Sequence, residues 1–259
     1  MKFKNKKSLG QNFLIDKNIL KIITDVGKIS KNDKVIEVGP GNGNLTQYLI
    51  NKNPKYLKII EKDKELIKLL SNKFKDQIEI FHNDILKVNE DFYEDGVIIY
   101  GNLPYNISTK ILANWCLSKK IKFKKLILMF QKEVADRIIA QPNSSKYGRI
   151  SIISSWKMNV KKIQEINPFS FYPAPKVKSA ILVFEPKKNF YKIKDCKNLE
   201  YVTQVFFNFR RKKIKKSLNI LFGNYEKISK KLNIDFNKRP ENLEPDTYLR
   251  LCTEYEKII

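Results

Sequence analysis

A chain of 259 residues, 42% hydrophobic and 12% aromatic, can bury one substantial core and a smaller appended one. Its 51 Lys and Arg against 27 Asp and Glu leave a formal net charge of +24; an excess of that size draws polyanions, so nucleic acid is the first partner to consider, with a lysine-rich solvated surface as the plain alternative. Three cysteines without a C-x-x-C pattern (Cys116, Cys196, Cys252) argue against a disulfide framework or zinc centre, and the single histidine, His82, argues against Ser-His-Asp catalysis; no metal is expected.

Residues 1–7 are basic, but Gly10-Gln11-Asn12 follows where a secretory leader would carry its apolar run, so the expected compartment is the cytoplasm. Residues 16–28 place Ile19, Leu20, Ile23 and Val26 at helical spacing, with Asp16 as N-cap. Residues 34–38 (KVIEV) read as a buried strand, and 39–43 as a tight turn into a helix that runs to Leu49. A second strand is expected at 56–60 and a second helix at 63–74, then strands at 77–81 and 97–100. A helix at 108–117 capped by Ser108, a strand at 125–130 and a helix at 133–139 follow. This alternation predicts an α/β fold, a mostly parallel sheet with helices on both faces.

Residues 150–160 and 179–184 read as two more strands, antiparallel at the end of that sheet, on either side of the proline-rich stretch 168–175. After Glu185-Pro186 the pattern turns helical, at 199–209, 214–221, 225–232 and 247–258. The expected organisation is a domain at 1–185 and a small C-terminal helical domain at 186–259. The longest apolar runs, 126–130 and 180–184, are far below the ~20 residues that cross a bilayer, and no membrane partner is expected.

The run Glu37-Val38-Gly39-Pro40-Gly41-Asn42-Gly43 sits between the first strand and its helix. Glycines there let the backbone turn sharply and approach a ligand, and the helix start favours electronegative groups. The spacing is G-x-G-x-G, unlike the G-x-G-x-x-G of a dinucleotide fingerprint. Glu61 closes the next strand, where a carboxylate can accept both hydroxyls of a ribose, and Asp84 follows the third, within reach of an adenine amino group. Each is weak alone; a strand end is more often only solvated. Acids and glycines at successive strand ends look like the nucleoside crevice of a Rossmann-type methyltransferase.

The next strand ends in Gly101-Asn102-Leu103-Pro104-Tyr105. A proline-aromatic turn is common as mere structure, but after such a loop it resembles the (D/N/S)-P-P-(Y/F) signature of amino methyltransferases. Adenine N6 is a poor nucleophile, because its lone pair is delocalised into the ring. The Asn102 Oδ1 and a main-chain carbonyl near Leu103 can both accept from the amine, favouring a more tetrahedral nitrogen aimed at a methyl sulfonium. Pro104 fixes the backbone without an N–H of its own, and Tyr105 offers a ring on which an extruded base stacks. No strong general base is required.

With these residues in place the chain resembles the small-subunit rRNA adenine N6,N6-dimethyltransferases, the KsgA type. The likeness runs from the segment Lys7-Ser8-Leu9-Gly10-Gln11-Asn12-Phe13-Leu14 through EVGPGNGNLT and GNLPYNIST to QKEVADR, YGRIS, FYPAPKV and FRRKK, nearly the whole chain. It implies a Rossmann-like class I fold, S-adenosylmethionine as cofactor, and cofactor contacts at Asn12, Leu14, Gly39, Glu61, Asp84 and Asn102, with Glu37, Gly41 and Gly43 in the same loop system. It also implies Phe171 as a second aromatic sandwiching the base against Tyr105, and a product of two adjacent N6,N6-dimethyladenosines near the 3′ end of small-subunit rRNA. Phe169 and Ala174 stand where prolines are usual, and Phe209 where a polar residue is usual, which touches details of RNA contact. Related enzymes that methylate large-subunit rRNA share the glycine loop; residues 147–151 and 210–217 favour the small-subunit group.

Arg210, Arg211, Lys212 and Lys213 open a run of six cations in seven residues. Alone, such a run reads equally as a solvated helix face or as phosphate contacts; beside an RNA methylation site the phosphate reading is preferred. The expected partner is small-subunit rRNA or an immature small subunit, bound by a monomer. Two rival classes are an NAD-dependent dehydrogenase, disfavoured by the glycine spacing, and a non-catalytic ribosome assembly factor, which would bind without transferring a methyl group.

Overall fold

The computed structural model describes residues 12–259. A short strand β1 (Phe13–Leu14) leads into α1 (Lys17–Gly27). The Asp16 carboxylate accepts from the Asn18 and Ile19 N–H groups at 3.0 and 3.2 Å, capping that helix as expected, and Lys28 ends it in the left-handed region. The strands β2 (Lys34–Val38), β3 (Tyr56–Glu61) and β4 (Glu79–His82) alternate with α2 (Asn44–Ile50) and α3 (Lys64–Phe74). Then come β5 (Val97–Asn102), α4 (Ser108–Leu117), β6 (Phe123–Gln131), α5 (Lys132–Ile138), α6 (Arg149–Lys157) and β7 (Met158–Ile166). The strands β8 (Phe171–Tyr172) and β9 (Ser179–Pro186) precede four helices, α7 (Cys196–Asn208), α8 (Lys215–Phe222), α9 (Tyr225–Leu232) and α10 (Pro245–Tyr255).

Seven strands form one sheet in the order β4-β3-β2-β5-β6-β9-β7. The pairs β4/β3, β3/β2, β2/β5 and β5/β6 are parallel, and β9 runs antiparallel to β6. From β2 the chain steps one way to β3 and β4, then returns to lay β5 on the other side. Right-handed crossovers put the helices before and after that reversal on opposite faces. The reversal opens a crevice beyond the carboxyl ends of β2 and β5, the place where open α/β sheets bind ligands. β1 pairs antiparallel with β8, Phe13 opposite Tyr172 and Leu14 opposite Phe171. No described helix is long and apolar enough to cross a membrane.

The chain divides into two compact units. One carries the sheet and consists of the residues through Leu112, Lys120–Ala135 and Val160–Pro186; Ile36, Ile59, Ile98 and Ile181 are each fully buried in it. The other comprises Ala113–Lys119, Asp136–Asn159 and Lys187–Ile259, with a core that includes Leu199, Phe206, Leu218 and Tyr248. The division after Pro186 falls where the composition changes. The helical unit, however, also takes residues 113–119 and 136–159, which a single cut at 185/186 assigns to the first domain.

Residues 150–157, read above as strand, are helical, and the strand begins only at Met158. Ser151, Ile152, Ile153, Ser154 and Trp156 are all buried, so α6 has no polar face to show a 3.6-residue period. Two of its serines are satisfied by main-chain carbonyls of α5, Ser151 Oγ donating to that of Arg137 at 2.6 Å and Ser154 Oγ to that of Ile138 at 3.3 Å. Ser108 is the first residue of α4 rather than its cap; its buried hydroxyl donates to the Tyr105 carbonyl at 3.1 Å.

Candidate active site

A cavity of about 390 Å³ lies in the crevice, walled by residues 12–14, the glycine loop, Glu61, Asp84 and residues 102–107. That volume is in the range of small-molecule sites. Gly41 and Gly43 have φ of +58° and +79°, open to glycine at little cost. A Cβ on Gly41 would stand 2.6 Å from the Phe13 ring, so the loop must be bare there for β1 to close against it. A Cβ on Gly43 would strike Phe74 at 2.5 Å, which lets α2 start close to α3.

Two carboxyl groups are buried in this wall. The Glu37 Oε2 accepts from Thr46 Oγ1 at 2.7 Å, and burial, reinforced by the charge of Glu61, pushes its pKa up to about 7. Glu61 Oε1 accepts from the Lys62 and Asp63 N–H groups at 2.7 and 2.8 Å. Burial still raises its pKa, against the pull of those N–H groups. Asp84 is different: the Lys62 ammonium at 2.8 Å and the Leu86 N–H at 3.0 Å hold its pKa below the usual value. The cavity thus has two desolvated acids and a third already paired.

Asn102 closes β5 at the cavity, its Nδ2 donating to the main-chain oxygen of Asn12 at 2.9 Å. The carbonyls of Pro104 and Tyr105 are engaged by Ile107 N–H and Ser108 Oγ, whereas among the described residues no donor engages that of Leu103. Leu103 itself is buried. Tyr105 stands half-buried on the cavity wall, its hydroxyl 2.7 Å from Ser179 Oγ at the start of β9.

The profile of the ribosomal RNA adenine dimethylase family matches residues 2–257. The chain is 54% identical over 258 residues to the ribosomal RNA small subunit methyltransferase A of Pelagibacter ubique, covering 98% of each. To the protein of that name from Prochlorococcus marinus (strain MIT 9301) it is 35% identical, covering 99% of this chain and 97% of the relative. Among solved structures, a dimethyladenosine transferase from Plasmodium falciparum superposes with a TM-score of 0.78 at 27% identity, over 95% of this chain and 98% of that one. The 23S rRNA methyltransferase ErmE, at 22% identity and TM-score 0.70 over 95% and 100%, shares the fold. The chain belongs to the ribosomal RNA adenine dimethylase family.

As a member of that family it is a Rossmann-like, S-adenosylmethionine-dependent methyltransferase of rRNA adenine. Of the residues singled out above, the structure brings Asn12, Leu14, Glu37, Gly39, Gly41, Glu61, Asp84, Asn102, Leu103, Pro104 and Tyr105 onto one cavity wall. Gly43 stands behind the loop, against Phe74. The motif residues Lys7, Ser8, Leu9, Gly10 and Gln11 lie outside the described residues. Phe171 is not brought to the cavity: it is 2% exposed, opposite Leu14 in the core of the sheet unit. Tyr172 and Phe169, by contrast, are 66% and 88% exposed.

The dimethylase's basic run is divided in role. Arg210 is tied within the helical unit, its Nε donating to Glu241 Oε2 at 3.0 Å and its guanidinium also to the Ser145 carbonyl. Arg211, Lys212 and Lys213 are exposed, and Lys213 Nζ donates to Asn237 Oδ1 at 2.8 Å. Lys215 and Lys216 lie over the rings of Tyr225 and Phe209, at 4.2 and 4.1 Å. Sequence reasoning did not single out Thr46, Asn44 or Ser179. Thr46 and Asn44 stand inside the quoted glycine motif, but Ser179 meets Tyr105 from 74 positions away, a contact no local pattern marks.

Proposed function

We propose that this dimethylase modifies small-subunit rRNA, converting two adjacent adenosines near its 3′ end to N6,N6-dimethyladenosine. The observation that carries the reading is the Asn102 carboxamide, whose NH₂ end is held by Asn12, which leaves its oxygen end to accept from an amine. So is the Leu103 carbonyl left, engaged by no donor among the described residues. The residues of the cavity fit the cofactor. Glu37 and Glu61 are buried acids that repel one another, and a ligand bearing sulfonium and ammonium charges relieves that strain. Glu61 sits at a strand end suited to a ribose diol, and Asp84 beyond the next strand to an adenine amino group. The bound cofactor supplies an electrophilic methyl group on sulfur.

The chain's own residues do the rest. Asn102 Oδ1 and the Leu103 carbonyl accept the two amine hydrogens, turning the nitrogen lone pair away from the ring. Pro104 holds that backbone, and Tyr105, braced by Ser179, presents the ring for the flipped base. N6-methyladenine keeps one hydrogen, so the same acceptors serve a second round. The amine proton is shed to solvent after alkylation, and no side-chain base is called for.

The helical unit supplies phosphate contacts through Arg211, Lys212 and Lys213, which position folded RNA with little sequence content. The protein acts as a monomer in the cytoplasm, on immature small subunits. The test is methyl transfer from labelled cofactor to such subunits, followed by nucleoside digestion and site mapping by mass spectrometry. Dimethyladenosine at two neighbouring positions is expected. Label confined to large-subunit rRNA, or binding without incorporation, would overturn the reading.

A further inference from the structure

The segment at residues 12–14 is gripped by two carboxamides. Asn44, the first residue of α2, donates through Nδ2 to the Leu14 carbonyl at 2.7 Å, while Asn102 donates to the Asn12 carbonyl at 2.9 Å. Beyond these, β1 is paired with β8, the Ile15 N–H reaches the Ser170 carbonyl at 2.8 Å, and the Phe13 ring lies against Gly41.

A carbonyl oxygen only accepts. The end of the Asn102 side chain that faces Asn12 is therefore the NH₂ end. Turning the amide over would set two oxygens against each other and aim two N–H donors at a target amine that must itself donate. The place of the Asn12 carbonyl thus decides whether Asn102 is an acceptor or an obstacle. Two residues on, that place is held by Asn44, which stands half-buried just past the glycine loop.

We propose that Asn44 is a positioning residue for methyl transfer. By holding Leu14 it holds the Asn12 carbonyl, and through it keeps the Asn102 oxygen turned toward the target amine. The proposal rests on the reading of Asn102 as the amine acceptor.

The test uses the full-length enzyme and compares Asn44→Ala, Asn44→Asp and Asn102→Ala in single-turnover transfer at saturating cofactor. Hydrogen exchange across residues 12–15 is measured on each. Asn44→Asp keeps the shape but only accepts, so it repels the Leu14 carbonyl, while a carboxylate in the first turn of the helix offsets part of the loss. Thermal melts on each variant establish that the fold is retained. Both Asn44 variants should lose about ten- to hundredfold in rate, as misplacement of a catalytic group by about 1 Å does. Their KM for RNA should stay within about twofold, with faster exchange at residues 12–15. Rates within about twofold of the parent, alongside an inactive Asn102→Ala, would overturn the proposal. So would a lost rate with unchanged exchange. An active Asn102→Ala would instead remove the reading on which the proposal stands.

Discussion

The hydroxyl of Thr46 donates to the carboxyl of Glu37 across 2.7 Å in a place where both side chains are cut off from solvent. That bond favours the charged acid, yet desolvation wins and the pKa rises to about 7. A folded-state pKa above the ordinary 4.5 means the native chain holds a proton that the unfolded chain has released between those values. Stability from this group is therefore full below pH 4.5 and lost as pH rises through about 7, amounting to a few kcal/mol. Glu37→Gln should flatten that part of the profile. Chemical denaturation below pH 4.5 and above pH 7 checks it, and an unchanged slope in the variant would remove Glu37 as its source.

Asn102→Ala should abolish transfer while leaving cofactor affinity within about tenfold, or about 1.4 kcal/mol. On the proposed reading the side chain is held by the Asn12 carbonyl, just before β1, and accepts from the incoming amine, so its loss falls on the chemical step. Calorimetry with cofactor and transfer assays on the same preparation separate the two effects. Near-normal turnover would refute the assigned role.

Glu61→Ala should weaken cofactor binding by about 1.5–3 kcal/mol, the range of hydrogen bonds to a charged acceptor. Its carboxyl is oriented by the Lys62 and Asp63 N–H groups before any ligand arrives, which spares the cost of ordering it. Titration calorimetry reads this directly. Unchanged affinity would take Glu61 out of the ribose site.

The basic run should split under mutation. Arg210→Ala removes an ion pair to Glu241 and a bond to Ser145, and is expected to lower the melting temperature at a cost of about 1–3 kcal/mol. Arg211→Ala and Lys212→Ala should leave melting unchanged, weaken RNA binding at all sequences, and each reduce the salt slope by about one. Filter binding across a salt series, paired with thermal melts, decides it. Equal effects of all three on binding alone would merge them into one surface.

How much of this was legible beforehand depended on how local the physics is. The glycine loop and the Asn102–Tyr105 turn were readable as parts of one crevice wall because each is a contiguous stretch at the carboxyl end of a strand. So was the capping role of Asp16, settled within three residues. The helix α6 was misread because burial on every side erased its period. The contacts of Arg210 were hidden for another reason: its partners, Glu241 and Ser145, are 31 and 65 positions away, so the run of cations does not show which of them is tied within the fold. Phe171 carries the ring that the resemblance assigns to the target base, but it is buried in the core of the sheet unit, paired opposite Leu14.

The place of β9 sets an order on how this chain folds as it is made. Residues 179–186 fill the gap between β6 and β7, although both of those neighbours leave the ribosome first. Until the latecomer threads in, β6 carries a bare, sticky border of apolar residues at its growing side, open to pairing with any passing nascent chain. A newborn copy of this enzyme is thus most vulnerable to clumping when its crevice motifs are already complete and its helical tail is still unmade.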